Sequence, residues 1–263
     1  MIESTLSSLK EPTTSSRQRI RFGDVAACTG FMLIAMLQSF AAAAAVGDSD
    51  WVASIHFGVV ALALAICGVL ALVRGKPLGM RTGLRPRAIA LIGNFFIIPL
   101  AALPLTWRPD WLLTTTTIAI VVLYGWVIWA LVTLRRGFSV FPEARHLVTR
   151  GPYGIVRHPL YAAYFLVYAL VALPRISGIV VLIATLGIAA EVMRAKYEEQ
   201  LLRSVFPSYS QYANRVPAFF PRVGRSPERP SIIQRRFCRK LTALILTLSF
   251  GVVTFALMPT NPS

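Results

Sequence analysis

Charge is scarce in this 263-residue chain, and acidic charge is scarcer still. Asp, Glu, Lys and Arg make up 14% of it, with 11 acidic side chains against 27 basic ones. Such a chain cannot cover a water-soluble domain of its size with polar surface. Cysteine is limited to Cys28, Cys67 and Cys238. They form no C-x-x-C pair, which argues against a disulfide framework and against cysteine chemistry. Histidine is limited to His56, His146 and His158, and no two stand at ligand spacing on one helix. A dedicated zinc or iron centre is therefore not expected. The Ser/Thr-rich N-terminus has no apolar core followed by a small-residue cleavage site, so no signal peptide is expected and residues 1–23 read as a disordered cytoplasmic tail.

What the chain does have is apolar length. Hydrophobic residues reach 56% and the mean hydropathy is +0.63. Runs long enough to cross a bilayer as helices stand at 24–46, 51–73, 88–105 and 112–134, with another at 241–257. The apolar stretch 159–193 would measure about 52 Å as a single helix, too long for one crossing. Pro174-Arg175 interrupts it, which predicts two short helices folded as a hairpin. The expected architecture is an all-α polytopic transmembrane bundle of about seven membrane segments. Four scaffold helices fill 24–134, a functional core of loop, hairpin and cytoplasmic segment fills 135–222, and a linker with a C-terminal anchor helix fills 223–263.

The cations test this count, because Lys and Arg collect in cytoplasmic loops. With the N-terminus inside, segments 1–23, 74–87, 135–157 and 194–240 hold 4, 5, 5 and 11 of them, leaving only Arg108 and Arg175 outside. The expected location is therefore the inner (plasma) membrane, as a multi-pass protein with a cytoplasmic N-terminus. Topology and attraction to anionic lipid headgroups account for the net charge of +16, so a nucleic-acid partner is not expected.

The first half reads as scaffold. Its polar exceptions, His56 and Asn94, are read first as interhelical hydrogen-bonding residues. The second half is more specific. Residues 138–164 read FSVFPEARHLVTRGPYGIVRHPLYAAY, with a Gly151-Pro152 turn signal and Pro159 where a helix can begin without losing a hydrogen bond. Open amides at that helix start, beside Arg157 and His158, can receive a carboxylate or phosphate. Arg135, Arg136 and Arg150 read as a collar on lipid phosphates, whereas Tyr153, His158 and Tyr161 crowd together too closely for that role. Beyond the hairpin stands EVMRAKYEEQLLRSVFPSYSQYANRVPAFFPR, residues 191–222. At about 100° per residue, Glu191, Arg194 and Glu198 share one helix face and Glu199 points away from Glu198. Arg194 and Glu198 are either an ordinary i,i+4 surface pair or groups turned to a polar cavity where the helix leaves the membrane.

Together these blocks resemble the isoprenylcysteine carboxyl methyltransferase family of integral membrane enzymes, whose relatives include phospholipid N-methyltransferases. The likeness covers about residues 131–222. It rests on LVTRGPYGIVRHPLY, then RAKYEEQLL, then FPSYSQYANRVPAFFPR, in the family's order of a Gly-x-Tyr turn, Arg-His-Pro-x-Tyr, a Glu-Glu pair and a closing Tyr-x-x-Tyr segment. Ala162-Ala163-Tyr164 stands where relatives often carry a glycine, and the first half carries no matchable motif.

The resemblance implies methyl transfer from S-adenosylmethionine in a cytoplasmic pocket. Carried over residue by residue, the cofactor would be held by Arg145, His146, Leu147 and Val148, by Tyr153, by His158, Pro159, Leu160 and Tyr161, and by Glu198. Glu198 would also serve the chemistry, and Arg194 would position the substrate. The implied reaction is O-methylation of a lipophilic carboxylate such as an isoprenylcysteine. A phospholipid or small-amine N-methyltransferase is the alternative among enzymes, and a non-catalytic membrane transport or assembly protein the alternative outside them. Expected partners are a lipophilic small-molecule or lipid substrate and membrane lipids, with no metal.

Overall fold

A computed structural model describes residues 22–221 apart from 82 and 108. The expected cytoplasmic tail, but for its last two residues, and the linker and anchor helix at 223–263 lie outside the described residues.

Helix α1 (Phe22–Gly47) and helix α2 (Trp51–Val73) run side by side as an antiparallel pair. The Asp50 side chain accepts from the Ala53 amide and caps α2. At the other end of the pair, buried Asp24 in the first turn of α1 accepts from Arg74 Nε at 2.6 Å. That contact closes the hairpin with a charge-assisted bond and places a negative group at a helix N-terminus.

The third crossing covers Leu84–Ala102 but is broken into α3 (Leu84–Phe95) and α4 (Ile97–Ala102). Pro99 has no amide to give to Phe95, and its ring crowds that carbonyl, so the ladder breaks one turn earlier. Helix α5 (Asp110–Leu134) follows, and then comes the loop 135–158.

The hairpin differs from the expected pair of short helices. Its first arm, α6 (Pro159–Ala172), is short, but its second, α7 (Gly178–Val205), has 28 residues and runs about 42 Å. Helix-favouring Ala, Arg, Lys, Glu, Gln and Leu carry α7 past the end of the apolar run at Met193. The turn between the arms is a 3-10 turn at Leu173–Arg175, where Pro174 ends α6 and Ser177 caps α7 by accepting from Val180. Arg175 ties the turn down by donating to the Leu103 and Val171 carbonyls. Among the described residues five helices are long and apolar enough to cross a membrane, with the shorter Pro159–Arg175 beside them. The chain is a polytopic helical membrane protein, and the expected segment 241–257 lies outside the described residues.

Helices α2 and α6 pack on α5, and α7 packs on α3 and α6. Tyr168 of α6 donates to the Gly93 carbonyl of α3 at 3.0 Å, and its ring sits where a Cβ on Gly187 of α7 would stand 2.4 Å away. Glycine at 187 is thus a packing requirement. The starts of α1 and α6 and the ends of α2, α5 and α7 meet at one end of the bundle. A two-residue antiparallel ladder, β1 (Gly79–Met80) with β2 (Glu143–Ala144), joins the α2–α3 loop to loop 135–158 there. The short helix α8 (Tyr209–Arg215) completes that end.

Candidate active site

Loop 135–158 is held in place by its own apolar residues. Phe138 and Val140 are buried against Cys67, Leu70, Val127 and Leu131. Glu143 accepts from Ser139 at 2.9 Å and pairs with Arg145, which is 8% exposed. The loop then turns at Gly151, whose φ of +61° is the left-handed region and whose Cα faces Thr133 side-chain atoms. Only glycine meets both conditions without strain. Pro152 and Tyr153 follow, buried in a 3-10 turn.

The segment after α8 returns to this loop. The amides of Arg157 and His158 donate to Pro217 and Ala218 at 2.8 and 2.9 Å, and the Tyr212 hydroxyl donates to the Tyr153 carbonyl at 2.6 Å. Arg157 also donates through its guanidinium to Ala213 and Val216. Its Nε and Nη2 meet Glu199 Oε1 at 3.0 and 2.8 Å, and His158 Nε2 lies 3.0 Å from the same oxygen. Glu199 is therefore the clamp that fixes the entry to α6. Arg157, offered by the sequence as an anion receptor, is engaged in that clamp. No side chain caps α6, so the first-turn amides of Leu160 and Tyr161 keep the positive end of that helix open.

On the neighbouring face of α7 the geometry is different. Glu198 accepts from the Tyr161 hydroxyl at 2.5 Å, and the Arg194 guanidinium lies over the Tyr161 ring, 5.0 Å from its centroid. His158 stacks on Tyr161 with ring centroids 5.4 Å apart. Of the two readings for Arg194 and Glu198, the structure supports the cavity. Arg194 is 5% exposed and its nearest carboxylate is Glu191, at 3.6 Å, rather than Glu198.

These groups surround a pocket of about 970 Å³, its open mouth included. All of the residues carried over from the family resemblance line it: Arg145, His146, Leu147, Val148, Tyr153, His158, Pro159, Leu160, Tyr161, Arg194 and Glu198. Sequence reasoning did not place Tyr164, Leu201, Tyr209 and Tyr212 in the wall. The Tyr209 and Tyr212 spacing was a visible signal with no role attached. Inside the pocket, Arg145 Nε, Arg194 Nε and the Tyr209 hydroxyl are buried without a hydrogen-bond partner. Burial pushes the Arg145 guanidinium pKa down, while the Glu143 carboxylate beside it opposes the shift. Burial raises the phenols of Tyr153, Tyr209 and Tyr212, with Glu198 adding to the effect on Tyr153 and Glu199 to that on Tyr209 and Tyr212. A wall of neutral phenols, the Glu198 carboxylate beside the Glu143–Arg145 pair, and unpartnered donors suits a ligand that carries both a cation and a carboxylate.

A second cavity, about 1370 Å³ with its open sides, lies among α1 to α6 and reaches Arg194 of α7. Its lining is apolar apart from a few groups that include Gln38 and His56. His56 sits edge-on to Phe57, and its Nδ1 has no partner. Asn94 donates to Ala90 within its own helix rather than across helices. Four residues, Asn94, Phe138, Tyr164 and Arg194, line both cavities, so the polar pocket and the apolar one share a wall at Arg194.

Residues 111–208 match the family described as Phospholipid methyltransferase. Similar proteins include the nickel-cobalt-cadmium resistance protein NccN of Alcaligenes xylosoxydans xylosoxydans, 34% identical over 119 residues, which are 43% of this chain and 55% of that protein. The cobalt-zinc-cadmium resistance protein CzcN of Cupriavidus metallidurans is 39% identical over 112 residues, 41% of this chain and 51% of that protein. The chain thus spans about half the length of these relatives. The matched stretch takes in α5, α6 and α7, so the part of the chain that gathers these motifs around one pocket is similar to the phospholipid methyltransferases.

Proposed function

We propose that the chain is an S-adenosylmethionine-dependent methyltransferase whose pocket faces the cytoplasm and whose acceptor is a lipophilic carboxylate of the isoprenylcysteine kind. The observation that carries this reading is the wall shared by the polar pocket and the apolar intramembrane cavity, with Arg194 in it. The accumulation of Lys and Arg at this end of the bundle supports the cytoplasmic orientation.

When bound, S-adenosylmethionine supplies an electrophilic methyl group on a sulfonium centre. Glu198 accepts from an ammonium group while the Tyr161 hydroxyl holds its other contact in place. Arg145 Nε and the open amides at the start of α6 receive a carboxylate. The face of Tyr153 would favour a cation, whereas the Tyr161 ring already stacks with His158 and carries the Arg194 guanidinium. Tyr153, Leu147 and Val148 exclude water from one side of the pocket. Arg194 orients the acceptor, whose carboxylate is ionised at neutral pH and needs no base. The contribution of these residues to the rate would be chiefly to hold acceptor and methyl donor in register.

The test uses purified protein in detergent with methyl-labelled cofactor, offered a prenylated cysteine acid and, separately, phosphatidylethanolamine. A base-labile label on the acid supports the reading. A base-stable label on the phospholipid replaces it with N-methylation. The names of the relatives supply another reading, a part in metal resistance. It takes first place if labelled cofactor gives no product while loss of the chain lowers tolerance to cadmium or cobalt.

A further inference from the structure

Glu191 lines neither cavity but lies directly behind Arg194 of their shared wall. It is fully buried, at 0% exposed, and neither carboxylate oxygen has a hydrogen-bond partner. Its nearest charge is Arg194 Nη1, 3.6 Å from Oε2, too far for a hydrogen bond. Space for it is provided from α3, because a Cβ on Gly93 would stand 2.9 Å from the Glu191 carboxyl carbon. An ionisable side chain buried at membrane depth is costly, and one without hydrogen bonds more so, so a fold keeps it only against a compensating charge. Here that charge is Arg194, whose other contacts are the Ser139 carbonyl at 3.2 Å and the Tyr161 ring.

We infer that Glu191 is a positioning residue that competes with the acceptor for Arg194: an anionic acceptor binds by displacing Glu191 from the guanidinium, and Glu191 takes up a proton as it is displaced. The inference rests on the methyltransferase reading and deepens it by making the acceptor an acid whose binding is coupled to proton uptake. The balance is simple. The acceptor brings one negative charge to Arg194, a proton from water neutralises Glu191, and the net charge of the wall is unchanged. A pair held at 3.6 Å without a hydrogen bond is a weak competitor, which is what a replaceable counter-ion needs to be. The groups that face Glu191 and Arg194 are Glu198 on their own helix, Tyr161, Tyr164 and Tyr168 on α6, and Cys67 on α2; α3 contributes only Gly93 and Asn94, which do not titrate. Glu198 is occupied when cofactor product is bound, which isolates Glu191 as the group that exchanges.

The experiment measures binding of N-acetyl-S-farnesylcysteine and of its carboxamide to full-length protein saturated with S-adenosylhomocysteine, from about pH 6 to about pH 8.5, in wild type and Glu191→Gln. Wild type is expected to lose affinity for the acid as pH rises, approaching about tenfold per unit for one coupled proton. Glu191→Gln is expected to bind the acid about tenfold or more tightly than wild type at the upper pH, with a flat profile, while the carboxamide binds both proteins alike. Retained binding of S-adenosylhomocysteine shows that the variant is folded. A purely structural Glu191 would weaken binding of acid and amide together, and that result, or an unchanged pH slope, overturns the inference. Failure of the acid to bind either protein while S-adenosylhomocysteine still binds also overturns it, and leaves the methyltransferase reading standing. Failure of S-adenosylhomocysteine to bind wild type removes that reading itself.

Discussion

The Tyr161 hydroxyl donates a 2.5 Å hydrogen bond to Glu198, while the adjacent carboxylate, Glu199, faces the other way and holds Arg157 and His158. Two neighbouring acids on one helix thus do different work. Glu198 faces the pocket and Glu199 fastens its frame. Because Tyr161 fixes Glu198, Tyr161→Phe is expected to weaken binding of S-adenosylhomocysteine by about tenfold, the scale of one hydrogen bond to a charged group. Calorimetric titration checks it, and the melting temperature should barely move.

Glu199→Gln should behave in the opposite way. The substitution leaves the Arg157 guanidinium, largely buried, without its counter-charge. Breaking a half-buried pair of this kind costs about 2–3 kcal/mol. Thermal melts in detergent should show the loss as a drop of several degrees. Cofactor binding measured well below the melt should change less than in Tyr161→Phe.

Gly93→Ala should separate acceptor handling from cofactor handling. Its methyl group would collide with the Glu191 carboxyl group from α3 and push it toward Arg194. The expected result is a rise of several-fold in the acceptor KM, with S-adenosylhomocysteine binding nearly unchanged. Equal losses in both would show that the contact serves packing alone.

The pocket phenols predict a pH response in stability. Burial raises the pKa of Tyr153, Tyr209 and Tyr212, so the folded state holds these protons more tightly than the unfolded chain. Their contribution is fully present below the unfolded value of about 10 and falls away as pH rises above it. Melting temperature should therefore decline above about pH 10. Replacing Tyr209 and Tyr212 with Phe should shallow that decline.

The membrane crossings were legible because a span needs only length and apolarity, and the motifs placed the pocket residues because they lie close together in sequence. Three features were not legible. The end of α7 was hidden because the apolar run stops near Met193, while helix propensity carries the chain on to Val205. The role of Glu199 depends on partners more than 40 residues away, Arg157 and His158, and nothing in the local pattern names them. The Glu191–Arg194 pair could be placed on one helix face from the sequence, but its burial depends on Gly93 in a helix a hundred residues earlier. Sequence periodicity gives the face of a helix and not the neighbour that covers it.

The most direct test of the account is titration of the detergent-solubilised chain with S-adenosylhomocysteine, in wild type and in Glu198→Gln and Arg145→Ala, each verified as folded by its melt. The account predicts saturable binding at one site per chain in wild type and a loss of at least about tenfold in both variants, as removal of a charged hydrogen-bond partner requires. A folded wild type that binds no S-adenosylhomocysteine, or variants that bind it as well as wild type, would contradict the assignment of this pocket to the cofactor.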